Sequence, residues 1–153
     1  GFARSGLSVL VLWPNIDAGS DEISKRWRIL KDRALDENLP IHFVRNVSPE
    51  DYGVLLKHAS CILGNSSSGI REAAFLGTPA VNVGSRQHLR ERGANVIDVN
   101  ESKREISSAV TKQIEHGPYP SDKMFGDGTA GEKIVDVLST VEFSIEKQLS
   151  YLG

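Results

Sequence analysis

Cys61-Ile62-Leu63-Gly64-Asn65-Ser66-Ser67-Ser68-Gly69-Ile70-Arg71-Glu72-Ala73-Ala74-Phe75-Leu76-Gly77-Thr78-Pro79 is the stretch that decides how this chain is built. Cys61 to Leu63 is apolar and stops at a glycine, which reads as a short buried strand. Residues 65–69 are small and polar, which reads as a turn with nothing bulky over its backbone. Residues 70–76 have room for two helical turns, stopped by Gly77 with Pro79 just beyond. A strand-turn-helix unit of this kind has a chemical use. The first amides of a helix lack intrahelical partners and lie at the positive end of its dipole. Three serine hydroxyls and a glycine beside them make a cradle for phosphate. Glu72, one turn in, is placed to accept hydrogen bonds from two vicinal hydroxyls such as those of a ribose. The plainer alternative is a serine N-cap on an ordinary turn, which needs only one of the three serines.

Outward from this unit, the pattern repeats. Leu7-Ser8-Val9-Leu10-Val11-Leu12 is nearly all apolar, as in a parallel strand covered on both faces. After a loop over residues 13–19, Ser20 caps a helix carrying Ile23, Trp27, Leu30 and Ala34 at helical steps, ended before Pro40. Ile41-His42-Phe43-Val44 is a second strand. Ser48-Pro49-Glu50-Asp51 starts a helix with a cap, a proline and two acids, and its core face is expected to be Tyr52, Leu55, Leu56 and Ala59. Ala80-Val81-Asn82-Val83 and Asn95-Val96-Ile97-Asp98-Val99 are the fourth and fifth strands. Asn100 is the expected cap of a helix with Ile106, Val110 and Ile114 on one face. A last helix is expected from about Thr129 towards Leu149, with a bend near Ser139-Thr140. Strands alternating with helices predict an α/β fold with a doubly wound, Rossmann-like parallel sheet. Ligands of such sheets sit outside the carboxyl ends of the strands. The loops there, residues 14–17, 46–48, 65–69 and 84–88, are the polar ones.

Composition sets the bounds. With 153 residues, 39% hydrophobic and 25% charged, the chain suits one globular domain. A net charge of −2 gives no basic surface for nucleic acid or anionic membranes. No apolar run approaches the ~18 residues of a membrane span, and residues 1–6 hold no signal-peptide core. The absent initiator methionine fits a fragment or a processed chain. The single cysteine, Cys61, excludes an internal disulfide framework, fits a reducing cytoplasm and reads as core.

Other motifs carry less. Gly126-Asp127-Gly128-Thr129-Ala130-Gly131 matches a dinucleotide fingerprint in letters only, since no strand precedes it and it follows the sheet. A loop ending in a helix cap at Asp127 or Thr129 is the better reading. His42, His58, His88 and His116 are scattered, so no metal site is expected. Arg86 is the best-placed cation for a diphosphate, because a guanidinium bridges phosphate oxygens bidentately. Arg90 and Arg92 read as a solvated face. Arg71 and Glu72 are adjacent and point apart, so only one can face the turn. Asn15 and Asp17 could meet a sugar or simply hold a tight turn.

Taken together, Pro14-Asn15-Ile16-Asp17-Ala18-Gly19, Gly64-Asn65-Ser66-Ser67-Ser68-Gly69-Ile70-Arg71-Glu72, Gly77-Thr78-Pro79, Asn82-Val83-Gly84-Ser85-Arg86-Gln87 and Gly126-Asp127-Gly128 resemble the carboxyl-terminal half of UDP-N-acetylglucosamine 2-epimerases. The likeness is closer to the hydrolysing branch, which releases UDP and N-acetylmannosamine for sialic-acid-type biosynthesis. The resemblance implies one UDP-binding domain over residues 1–153, the carboxyl-terminal half of a glycosyltransferase-B type fold. The amino-terminal domain, with its acid/base carboxylates, would lie outside this chain. It implies that the backbone at Val47 meets uracil. Ser66 and Ser67, with Ser68 and Gly69, hold phosphates, Glu72 holds the ribose and Arg86 the diphosphate, with Asn15 and Asp17 near the sugar. No cofactor or metal is implied. A homo-oligomer of the full-length enzyme fits the resemblance, and the final helix would pack on the missing domain. Rival readings are a non-hydrolysing epimerase, a diacetylbacillosamine epimerase, a glycosyltransferase donor domain and a flavodoxin-like binding module.

Overall fold

The computed structural model describes residues 6–13 and 20–142. The elements run β1 (Val9–Leu12), α1 (Ser20–Asp36), β2 (Ile41–Val44), α2 (Pro49–His58), β3 (Ile62–Gly64), a 3-10 turn (Ser67–Gly69), α3 (Glu72–Leu76), β4 (Ala80–Val83), β5 (Val96–Val99), α4 (Lys103–His116) and α5 (Ala130–Thr140). Every strand pairing among them is parallel. β1 lies on β2 with Val9 opposite Ile41, and β4 sits between β3 and β5 with Ala80 opposite both Ile62 and Val96. Backbone hydrogen bonds join the strands as a pair and a triplet rather than as one ladder of five. The α/β architecture of parallel strands and flanking helices is the one expected from the alternating pattern.

The core lies between the triplet and α4. Val81, Ala109 and Val110 are buried, with Cys61, Val83, Ile97, Val99, Ile106 and Ile114 packed around them. The stripe of Ile106, Val110 and Ile114 at steps of four is what turns α4 onto the sheet. Burial pushes the Cys61 thiol up to about 11, in keeping with a core residue and not a nucleophile. β1 departs from expectation. It is not covered on both faces: Leu10 and Leu12 remain 42% and 37% exposed, so the strand alternates instead of burying all its side chains. On its other side, the ring of Trp13, just past the strand, meets Trp27 and Phe43 edge-on at 6.0 and 6.4 Å.

Helix starts follow local chemistry, with three corrections. Ser48 caps α2 as expected, its hydroxyl accepting from the Asp51 amide at 3.1 Å, but Leu55 points outward and only Leu56 of the expected face is fully buried. The cap of α4 is Ser102 and not Asn100: Ser102 accepts from Glu105 N, and the Glu105 carboxylate reaches back to the Asn100 amide at 3.1 Å. That arrangement resembles a capping box moved by two residues. The expected helix over residues 70–76 is shortened to the five-residue α3, and the expected polar turn ahead of it holds the 3-10 turn. α5 starts where expected, after Thr129. Within it, Ser139 and Thr140 turn their hydroxyls onto the carbonyls of Asp136 and Val137. The helix does not run on towards Leu149 as expected: it ends at Thr140, with Val141 extended, where the sequence suggested a bend, and residues 143–149 lie outside the described residues.

Candidate nucleotide-binding site

The loops after β3 and β4 leave the same end of one parallel triplet, so the sheet itself places them side by side. Their contact is direct. The Gln87 side-chain amide donates to the Asn65 carbonyl at 2.7 Å. Ser66 and Ser67 therefore lie one strand away from Arg86.

The serine loop is shaped by its own hydroxyls. Ser66 caps the 3-10 turn, accepting from the Ser68 amide at 3.3 Å, and the amides of Ile70 and Arg71 both reach the Ser67 carbonyl. Ser66 is exposed, Ser67 half-buried and Ser68 buried at 8% exposure. The Ser68 hydroxyl is engaged with Tyr52 at 2.6 Å. Ser68 thus sits under the loop and anchors it to α2, while Ser66 and Ser67 sit on it. Gly69 is pressed onto the sheet, where a Cβ would touch Ala80 and Ile62 at 3.8 Å. The five-residue α3 brings only a small dipole to this place, so hydroxyls and a cation are the stronger anion-binding groups here.

Val47 is half-buried just before α2. The Tyr52–Ser68 bond ties α2, and with it the Val47 loop, to the serine loop. Glu72 is the first residue of α3 and is exposed. Its neighbour Arg71 turns to the Phe125 ring, 5.8 Å from the ring centre. Arg86 is exposed on the turn after Gly84, with His88 exposed close by. Asn15 and Asp17 lie outside the described residues. Among the described residues, no three His, Cys, Asp or Glu side chains come together as a metal site would require. No described helix is long and apolar enough to cross a membrane.

Arg92 corrects the reading of a solvated face. Its guanidinium faces Asp98 at 2.6 Å and donates to the carbonyls of Gln87 and Arg90. The Arg92 Nε–H points off the line to the carboxylate, so that contact is ionic and not a straight hydrogen bond. Asp98 also accepts from Asn82 at 2.6 Å. Gln87 and Asn82, at 3% and 4% exposure, were missed as site supports. The available signal was a polar residue inside the apolar run Ala80-Val81-Asn82-Val83, since a buried amide needs partners. Two concavities lie away from the serine loop. One, of about 390 Å³, is lined by Ala94, Asn95 and residues 119–123 at the amino ends of β4 and β5, and the other lies against α4.

Leu89 closes the Arg86 turn in the left-handed region, at φ 65°, while 90% exposed. A branched residue there costs about 1–2 kcal/mol, and glycine gives part of that back as unfolded-chain entropy. Leu89→Gly is expected to raise stability by about 0.5 kcal/mol, or roughly 1–2 °C in a thermal melt. A fall would show that the Leu89 side chain is covered in the whole protein.

Polar loops meeting at the carboxyl ends of neighbouring parallel strands are the layout by which open α/β sheets take nucleotides. The chain belongs to the UDP-N-acetylglucosamine 2-epimerase family, whose model matches residues 2–139. It is 33% identical over 141 residues to a UDP-N-acetylglucosamine 2-epimerase of Neisseria meningitidis serogroup B, covering 90% of this chain and 36% of that protein. It is 31% identical over 137 residues to a hydrolysing UDP-N,N'-diacetylbacillosamine 2-epimerase of Legionella pneumophila, covering 90% of this chain and 35% of that one. The solved UDP-GlcNAc 2-epimerase of Methanocaldococcus jannaschii shares the fold, with a TM-score of 0.62 at 22% identity over 89% of this chain and 37% of that one. The chain thus spans little more than a third of these proteins.

Proposed function

We propose that this chain is the UDP-holding, carboxyl-terminal half of a two-domain 2-epimerase acting on UDP-N-acetylglucosamine. The observation that supports the reading is the Gln87–Asn65 bond, which joins the loop carrying Ser66 and Ser67 to the loop carrying Arg86 in a chain of this family. Hydroxyls and a guanidinium on adjacent loops suit the two phosphates of a nucleoside diphosphate. In this reading Ser66 and Ser67 donate to phosphate, Arg86 bridges the diphosphate and Glu72 accepts from the ribose hydroxyls. The Val47 backbone meets uracil, and Asn15 and Asp17 face the sugar. Ser68 and Gly69 serve by shaping the loop.

C2 inversion with loss of UDP needs a base, an acid and a closed cleft. In this reading the chain supplies the diphosphate grip, which also stabilises UDP as a leaving group. The carboxylates come from the amino-terminal domain, so the isolated chain turns nothing over. In the full-length enzyme, proton abstraction and elimination give a glycal-like intermediate whose hydration yields free N-acetylmannosamine for sialic-acid-type synthesis. The reaction belongs in the cytoplasm. The Legionella relative supports hydrolysis and favours a second sugar, a diacetylated bacillosamine.

The full-length protein, incubated with UDP-N-acetylglucosamine, is expected to release UDP and N-acetylmannosamine together. UDP-N-acetylmannosamine without free UDP would assign it to the non-hydrolysing branch. Turnover of only the diacetylated substrate would move the assignment to that sugar.

A further inference from the structure

Behind the exposed serines and Arg86 runs a line of polar contacts that touches no substrate in the reading above. It begins at the Asn65 carbonyl, which accepts from Gln87 at 2.7 Å. The Gln87 carbonyl accepts from Arg92 at 2.9 Å, Arg92 faces Asp98 at 2.6 Å, and Asp98 accepts from Asn82 at 2.6 Å. Asn82 and Asp98 are register partners on β4 and β5, so the line ends on two paired strands of the sheet. Gln87 and Asn82 are almost wholly buried, and the Arg92 side chain is 23% exposed. Buried polar side chains are retained at a cost unless each has partners. Here the partners span two loops that otherwise belong to different strands.

We propose that Gln87, held by the Arg92–Asp98 pair, is a positioning residue that sets the distance between the serine loop and Arg86 and so tunes the site to a diphosphate over a monophosphate. The inference rests on the diphosphate reading above. A monophosphate needs one loop, whereas a diphosphate must reach both at once. Its affinity therefore depends on their spacing, and misplacement of one gripping group is costly. Arg92 cannot be replaced in kind by lysine, because its planar fork serves Asp98 and the Gln87 carbonyl together.

The test is calorimetric titration of the full-length protein with UDP and with UMP. Gln87→Met keeps the volume and removes the donor to Asn65. It is expected to weaken UDP about tenfold while changing UMP less than about twofold. A merely structural defect would weaken both nucleotides alike. Arg86→Ala, run beside it, tests the underlying reading: UDP affinity unchanged in that variant, or no UDP binding by the parent, would sink the diphosphate site itself. Loss of UDP in Arg86→Ala with the parent UDP:UMP ratio in Gln87→Met would overturn the positioning role alone. If Gln87→Met does not fold, Arg92→Lys is read in its place at a partly exposed position. The same narrowing of the ratio is expected there, and an unchanged ratio overturns the proposal.

Discussion

Gln113→Leu is expected to lower stability by about 4 kcal/mol, the largest effect of any single change considered for this chain. Gln113 is fully buried on α4. Its side-chain nitrogen donates to the carbonyls of Ala80 and Asn95, both at 2.7 Å, and its oxygen accepts from the Tyr119 hydroxyl at 2.8 Å. One amide thus ties the starts of β4 and β5 to α4 and to the segment after it. Leucine fits the volume but removes three buried hydrogen bonds: the Tyr119 hydroxyl loses its acceptor, while the Asn95 carbonyl keeps only the Ala80 amide. At about 1–2 kcal/mol for each bond this outweighs the apolar burial gained. A melt should fall by roughly 8–16 °C. Gln113→Glu separates hydrogen bonding from shape. Ionised, it offers only acceptors to two carbonyls, so its folded-state pKa lies above the ~4.3 of an unfolded glutamate. The folded state then keeps a proton the unfolded chain has lost. Gln113→Glu should be nearest its parent in acid and lose stability as pH rises beyond ~4.3. A pH-independent deficit would contradict this.

Gly77→Ala is expected to cost about 3 kcal/mol. Gly77 ends α3 in the left-handed region at φ 73°, and its amide reaches back to Ala74 while Thr78 N reaches Ala73 at 2.8 Å. Its carbonyl accepts from Tyr119 N at 2.8 Å, which brings two backbones together where an added Cβ would run into the Tyr119 carbonyl. The left-handed conformation contributes ~1 kcal/mol and the forced backbone shift a further ~2 kcal/mol. Chemical denaturation of Gly77→Ala against the parent checks this. A loss of only ~1 kcal/mol, the conformational part alone, would mean that the Tyr119 contact yields freely.

The parallel α/β plan was readable because periodicity and punctuation agree along most of the chain. Ser48-Pro49 and Ala80 to Val83 sit where local chemistry puts them, and Gly77 ends α3 as its type predicts. The errors are tertiary in origin. Leu10 and Leu12 look buried by composition, yet burial depends on what covers a strand, and no apolar run encodes that. The 3-10 turn ahead of α3 was invisible because it depends on the Ser66 hydroxyl capping the Ser68 amide in place of continuing a strand or helix. Of the candidate site, Ser66, Glu72 and Arg86 were picked by residue type, as the types that meet phosphate and ribose, and the structure leaves all three exposed. The inward ones were not. Ser68 looks like its neighbours but faces Tyr52, and Arg92 looks solvated but faces Asp98, since both depend on partners distant in sequence. Gln87 follows Arg86 directly, and only the fold reveals that one faces out and the other in.

The central claim is that UDP lies across the serine loop and Arg86. Calorimetric titration of the full-length protein with UDP, for the parent, Ser67→Ala and Arg86→Ala, tests it most directly. A charge-assisted contact to phosphate lost at Arg86 should weaken UDP about 10- to 100-fold, and a neutral hydroxyl lost at Ser67 about three- to tenfold, with unchanged melting curves. Parent-like UDP binding in both variants, with the fold intact, would contradict the account.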